Sequence, residues 1–343
     1  MHCTLHIPHL IPPRELGEAL WRTVDAPQLK GALARAAWST STAAEATGAD
    51  ALLCNLFGVT RQQDWPLAPL LAQGENLAAD RSYWLCATPV HLETRRNALM
   101  LTDPAGLEIS AEESAAFAAM LTAHLHDENI TLHAPQPRHW YLRCDKPPVM
   151  TTSSLDTVTG RDVRTFLPQG ADSPRWHRIL TEIQMLLHAH PLNDAREARG
   201  LVPVNSVWLS SGGVLPPRPG GPAPFAVVHS DDAAVRALAQ HGGCRVEARP
   251  KLMTPETLTA SSHLFSFELL APLMQQGGTG DVQAWSNAVT ALYRDWFTPL
   301  FDAVKARHLS ALTLISSNDA GTQQFVIRAL DTMKFWRKNR YLQ

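Results

Sequence analysis

Glu182-Ile183-Gln184-Met185-Leu186-Leu187-His188-Ala189-His190-Pro191-Leu192-Asn193, continued by Arg196, Gly200, Pro203, Asn205 and Trp208-Leu209-Ser210-Ser211-Gly212-Gly213, is the most informative run in the chain. Just upstream, Asp172-Ser173-Pro174 opens a helix in which Trp176, Ile179, Leu180, Ile183 and Leu187 recur along one face. Downstream, Val204 to Leu209 reads as a strand closed by Gly212-Gly213, and Ser210-Ser211-Gly212-Gly213 has the makings of a small anion nest. Pro216 to Pro224 is rich in Pro and Gly and is the best hinge candidate.

Beyond that hinge, strands and helices alternate. Phe225 to Val228 is a strand, Asp231 to His241 a helix stopped by Gly242-Gly243, and Leu264 to Leu269 a strand. Asp281 to Arg307 is a long helix that Pro299 should kink or break. Leu312 to Ser316 and Gln324 to Arg328 read as strands. Before the quoted run, Cys3 to Ile7 predicts a strand, Arg14 to Trp21 and Pro27 to Trp38 helices, and Ala51 to Phe57 a buried strand. Arg81 to Ala87, Ala98 to Thr102 and His139 to Arg143 predict further strands, with a turn over Thr102 to Gly106. Ser110-x-x-Glu113 is a capping box for a helix carrying Phe117, Leu121 and Leu125. Such alternation points to an α/β protein with a mostly parallel sheet covered by helices.

The 343 residues suffice for one large or two ordinary domains. With 30 basic against 32 acidic side chains and no long block of one sign, a nucleic-acid binder is disfavoured. Lys334, Arg337, Lys338 and Arg340 read as a solvated helix end. Five cysteines, widely spaced and without a CxxC, argue against a disulfide framework and for a reducing, cytoplasmic setting. The opening residues lack a signal-peptide pattern, and no apolar run approaches a membrane span. Ten tryptophans read as core filling.

The pattern HP-x-N-x2-R-x3-G-x2-P-x-N followed by a glycine pair, from His190 to Gly213, resembles archaeal-type cofactor-independent phosphoglycerate mutases of the alkaline phosphatase superfamily. Over most of its length, including Asp64-Trp65-Pro66-Leu67-Ala68-Pro69 and Thr88-Pro89-Val90-His91-Leu92, the chain is more similar still to a proteobacterial family of phosphoglycerate-mutase-like proteins labelled pathogenicity-factor regulators. The resemblance implies an alkaline-phosphatase-like core from residues 1–60 plus 215–343, and an inserted α+β domain at 65–210.

Enzymes of that superfamily hold two divalent metals beside a Ser or Thr nucleophile, since metal charge activates the hydroxyl and steadies phosphoryl oxygens. The resemblance then demands an Asp after the first strand, but Pro8-His9-Leu10 stands there. It demands an Asp-His pair near the C-terminus, where Ser317-Asn318-Asp319-Ala320-Gly321 follows the strand without a His, and an Asp-x2-Gly-His type motif before it, but Leu264 to Trp285 contains no His at all. A nucleophile is sought among Ser39, Thr40, Ser41 and Thr42.

His190, Asn193, Arg196, Arg199 and Asn205 form the best candidate anion- or ligand-binding site. Two readings stay open: Arg196 grips a phosphate or carboxylate bidentately, or the two Asn satisfy buried backbone around a turn while Arg196 closes a salt bridge. Two functions follow. One is a non-catalytic, regulatory protein acting through an unknown small anionic ligand or protein partner, without cofactor, nucleic acid or membrane. The alternative is a metal-dependent phosphoglycerate mutase or phosphohydrolase with rearranged ligands, which alone would call for Mn or Zn.

Overall fold

The computed structural model describes residues 1–11, 20–41, 48–77, 81–95, 98–102, 104–267, 282–318 and 321–333. Most of the expected Arg14 to Trp21 helix, Thr42, Asp103, the tail of the Leu264 to Leu269 strand, Asp281, Asp319, Ala320 and the basic C-terminal residues lie outside these.

In chain order the elements are β1 (His2–His6), α1 (Pro27–Arg35), β2 (Ala37–Ser41), α2 (Ala49–Leu56), α3 (Leu67–Gly74), β3 (Tyr83–Val90), β4 (Leu92–Arg95) and β5 (Ala98–Leu101). There follow α4 (Ala111–Leu125), β6 (Ile130–Gln136), β7 (His139–Cys144), α5 (Ser173–His188), α6 (Pro191–Ala198), β8 (Ser206–Gly213) and β9 (Val227–His229). The chain continues through α7 (Ala233–His241), β10 (Arg245–Glu247), β11 (Ser262–Ser266), α8 (Val282–Leu292), α9 (Thr298–Lys305), β12 (Ala311–Asn318) and β13 (Gly321–Ile327).

Two compact units result, Met1–Val59 with Arg218–Gln343, and Thr60–Pro217. The first is built on a seven-stranded sheet ordered β10-β9-β11-β1-β12-β13-β2, parallel from β10 to β12 and antiparallel at β13 and β2. This is a mixed α/β architecture with a mostly parallel central sheet and flanking helices. One face of the sheet is apolar: Cys3, Leu5, Phe265, Leu312, Leu314, Phe325 and Ile327 pack against Leu29, Leu33, Trp285, Val289, Leu300 and Val304 of the helices. Alternation along β1 and β12 sends Thr4, His6 and Thr313 to the other face, where they are buried all the same.

The second unit carries a four-stranded antiparallel sheet, β6-β7-β3-β8, and the β4-β5 hairpin. Its core joins Leu85, Leu142 and Leu209 of the sheet to Phe117 and Leu121 of α4 and to Trp176, Ile179 and Ile183 of α5. The Ser110–Glu113 capping box is formed in full.

Several expectations are corrected. Ala51 to Phe57 is helical, within α2: a short apolar run does not by itself separate buried helix from strand, and Ala-Leu-Leu carries no β-branched residue. The helix from Pro27 ends at Arg35, and Ala37-Trp38 begins β2. Gly212 and Gly213 are the last two residues of β8 and belong to the strand itself, which runs past the expected Leu209. The strand bulges at Ser211 (φ 60), so that Cys86 pairs with Ser210 but Trp84 with Gly213. A Cβ at Gly212 would stand 2.3 Å from Tyr83 Oη, and one at Gly213 2.5 Å from Pro66 Cβ. The pair is there for clearance.

Candidate functional site

The first candidate cluster lies where α5 turns through α6 into β8. His190 caps α6, its Nδ1 accepting from Leu192 N at 3.2 Å, with the ring 4.9 Å from that of Phe117. The side chain of Asn193 donates to the carbonyls of Leu187 (2.7 Å) and Val204 (2.8 Å) and accepts from Val204 N (2.9 Å). Asn205 holds the backbone of Leu92 in the same two-way fashion, at 2.7 and 2.9 Å. Arg196 is 0% exposed; Nε and Nη2 donate to the Val202 carbonyl at 3.0 and 2.8 Å, and Nη1 to Glu113 Oε2 at 2.5 Å. Arg199 donates to the other Glu113 oxygen and is 55% exposed. Burial pushes the Glu113 carboxyl up, but Arg199, the Ser110 amide and Arg196 outweigh it and hold the group below the ordinary range. Asn193, Asn205 and Arg196 thus spend their polar groups on the backbone of Leu187, Val204, Leu92 and Val202 and on the Glu113 carboxylate. Arg196 has no open edge for a dissolved anion; Arg199 has one.

The carboxyl ends of the parallel strands, where open α/β sheets bind their ligands, make the second cluster. β1 lies at the point where the strand order reverses, and ends in His6. The His6 imidazole is 2% exposed, its Nδ1 is 2.9 Å from Ser266 Oγ at the end of β11, and its Nε2 has no partner. Burial drives its pKa down to about 4, so it is neutral at physiological pH. Next in the sheet, Ser317 of β12 stands in register with Thr322 of β13, and Thr322 with Ser41 of β2. Thr322 Oγ1 is also buried without a partner. Ser316 Oγ accepts from Ile11 N at 3.0 Å, fastening the chain that leaves β1. Ser39 and Thr40, named as possible nucleophiles, are exposed on the edge strand β2.

One strand further out, His263 Nε2 accepts from Ala260 N at 3.0 Å, which leaves Nδ1–H to donate to His229 Nε2 at 3.1 Å. Both rings stack in a ladder with Phe265, and burial lowers the pKa of each. Sequence reasoning missed both this pair and the His6–Ser266 pair, whose members are far apart in the chain and meet only through parallel register. It also missed Glu75, which accepts from His139 Nδ1 and from Tyr141 Oη in the second unit.

A two-metal centre needs several carboxylates and imidazoles converging on one point. The described ends of β1, β11, β12 and β13 offer hydroxyls and a neutral His already engaged at Nδ1, and those of β9 and β10 offer His229 and Glu247, with Nδ1 and Oε2 3.7 Å apart. Among the described residues no three His, Cys, Asp or Glu side chains are grouped to hold a metal. The described residues do not supply such a donor set.

No family model matches the chain. Its sequence is 28% identical over 153 residues to 2,3-bisphosphoglycerate-independent phosphoglycerate mutases of Methanosarcina mazei and Methanosarcina barkeri, covering 43% of this chain and 37% of each relative. The match thus spans well under half the length of the curated relatives, and it supports homology to cofactor-independent phosphoglycerate mutases. Among solved structures, the PH0037 protein of Pyrococcus horikoshii superposes with a TM-score of 0.56 at 13% identity, covering 97% of this chain and 92% of that one. A cofactor-independent phosphoglycerate mutase from Thermoplasma acidophilum gives a TM-score of 0.48 at 14% identity over 95% and 89% of the two chains.

Proposed function

We propose that this chain is a phosphoglycerate-mutase-like protein that binds a ligand or protein partner in a regulatory role and does not catalyse phosphoryl transfer. One observation carries the reading: the strand ends that would hold metals carry His6, Ser266, Ser317 and Thr322, with His6 Nε2 and Thr322 Oγ1 buried and unpaired. A buried polar atom without a partner costs about 1–3 kcal/mol, a cost that a polar ligand group reaching either atom would offset. A neutral imidazole with a pKa of about 4 is also a weak general base at neutral pH, so the Ser266–His6 pair is suited to holding a ligand and unsuited to activating a nucleophile. The turn around Arg196 serves as scaffold in this reading, with Arg199 as its exposed anion contact. The five thiols are all free, which suits a cytoplasmic protein. No helix among the described residues is long and apolar enough to cross a membrane.

The deciding experiment is elemental analysis after incubation with Mn²⁺ and Zn²⁺ and desalting, followed by phosphoglycerate mutase and phosphatase assays. Sub-stoichiometric metal and no turnover are expected. One or two tightly held ions per chain, with metal-stimulated turnover lost on changing a single His or Asp, would instead establish a mutase or phosphohydrolase with rearranged ligands.

A further inference from the structure

Helices α8 and α9 would be one helix but for Pro299. Proline has no N–H, so the carbonyl of Asp295, four residues earlier, loses its helical donor. The chain responds with a π turn over Tyr293–Phe297, in which Thr298 N–H reaches back to the Tyr293 carbonyl and Thr298 Oγ1 joins it at 2.9 Å. The Asp295 carbonyl accepts from Met253 N at 3.0 Å instead. Turns of this kind are rare and concentrate at functional sites.

That bond suspends the segment 253–258 beside α9, and a cavity of about 530 Å³ lies between them. Met253, Leu258, Leu300 and Ala303 line it, with Asp302 and His308 exposed at its rim. Its size falls within the ~300–1,000 Å³ range of small-molecule sites. A stable protein interface takes roughly 800 Å² per partner, so a hollow on this scale suits a single small molecule better than a docked helix or strand. The methyl group of Ala303 keeps the space open where a larger side chain would fill it. Asp302 is already paired with Lys305 Nζ at 2.9 Å, which offsets its charge at the rim. The cavity borders the amino ends of β1 and β12, where Ser310 N donates to the Met1 carbonyl at 2.9 Å, and is at the opposite end of those strands from His6.

We propose that this cavity is a binding site for one small lipophilic molecule, its alkyl or aryl body against Met253, Leu258 and Leu300 and a neutral hydroxyl head at Asp302 and His308. The site is separate from the strand-end ligand and does not depend on it. The test is thermal unfolding of the full chain with 1-octanol, octanoate and octylammonium as probes, on the wild type and on Ala303→Trp, which fills the cavity. A saturable rise in Tm of a few degrees, larger for octanol than for either charged probe and absent in Ala303→Trp, is the expected result. No saturable rise in the wild type, or equal rises in the two proteins, overturns the proposal. Should Ala303→Trp fail to fold, the methyl resonance of Met253 in the wild type decides: a saturable shift with octanol supports the site, and an unmoved resonance refutes it.

Discussion

The turn from His190 to Asn205 and the strand ends around His6 are opposite in how they use polar side chains. In the turn, the side chains of Asn193, Asn205 and Arg196 close on backbone groups or on Glu113, and Arg196 is wholly out of reach of solvent. At the strand ends, His6 and Thr322 each keep a buried polar atom with nothing to bond. A conspicuous sequence pattern can mark a place where the backbone needs polar help. A place with polar capacity to spare can leave hardly any pattern at all, because its members come from distant strands.

This contrast can be broken by mutation. The largest effect is expected from Arg196→Ala, which strands the Glu113 carboxylate in a buried setting and leaves the Val202 carbonyl unpaired; breaking such a pair costs about 3–5 kcal/mol. Urea denaturation should show it, and a variant that keeps wild-type stability would return Arg196 to the ligand-site reading. His6 comes next. Its folded pKa, about 4, is below the unfolded value near 6.5. The unfolded chain therefore binds more protons between those values, and the stability due to neutral His6 is complete above pH 6.5 and lost as pH falls toward 4. The span corresponds to roughly 3 kcal/mol. Thermal melts from pH 7 to 4 should become less steep in His6→Asn; an unchanged slope would show that His6 is not held neutral. Asn193→Ala removes three hydrogen bonds and exposes three backbone groups to non-pairing, for an expected loss of about 2 kcal/mol in chemical denaturation, with Asn193→Asp unable to restore it. The smallest effect is reserved for Arg199→Ala. An exposed ion pair contributes about 0–1 kcal/mol, so stability should barely change while any binding of inorganic phosphate by this edge, followed by calorimetry, disappears.

Legibility in the sequence followed locality. The capping box at Ser110, the amphipathic face of α5 and the break at Pro299 were readable because each is set by residues within a turn or two of one another. β6 escaped notice because Ile130-Thr-Leu-His-Ala-Pro-Gln is weakly alternating and carries a proline, which its position at the sheet edge tolerates. The helix α2 was taken for a strand because its burial hides the periodicity that would distinguish the two. The five residues of the turn stand in one contiguous pattern that allows both ligand grip and backbone service, and only Leu92, Glu113 and Val202 in place show which partners Asn205 and Arg196 take. The His6–Ser266 pair required the register of β1 against β11, which depends on tertiary contacts across most of the chain.

That same register has a consequence for how the protein is made. β1 is at the centre of the large sheet, and both of its neighbours, β11 and β12, are encoded near the far end of the chain. During synthesis the first strand emerges long before anything it can pair with, while Thr60–Pro217, contiguous in sequence, has all it needs to fold behind the ribosome. A central strand whose partners are both encoded more than 250 residues later depends on long-range parallel pairing, the kind of contact that forms slowly.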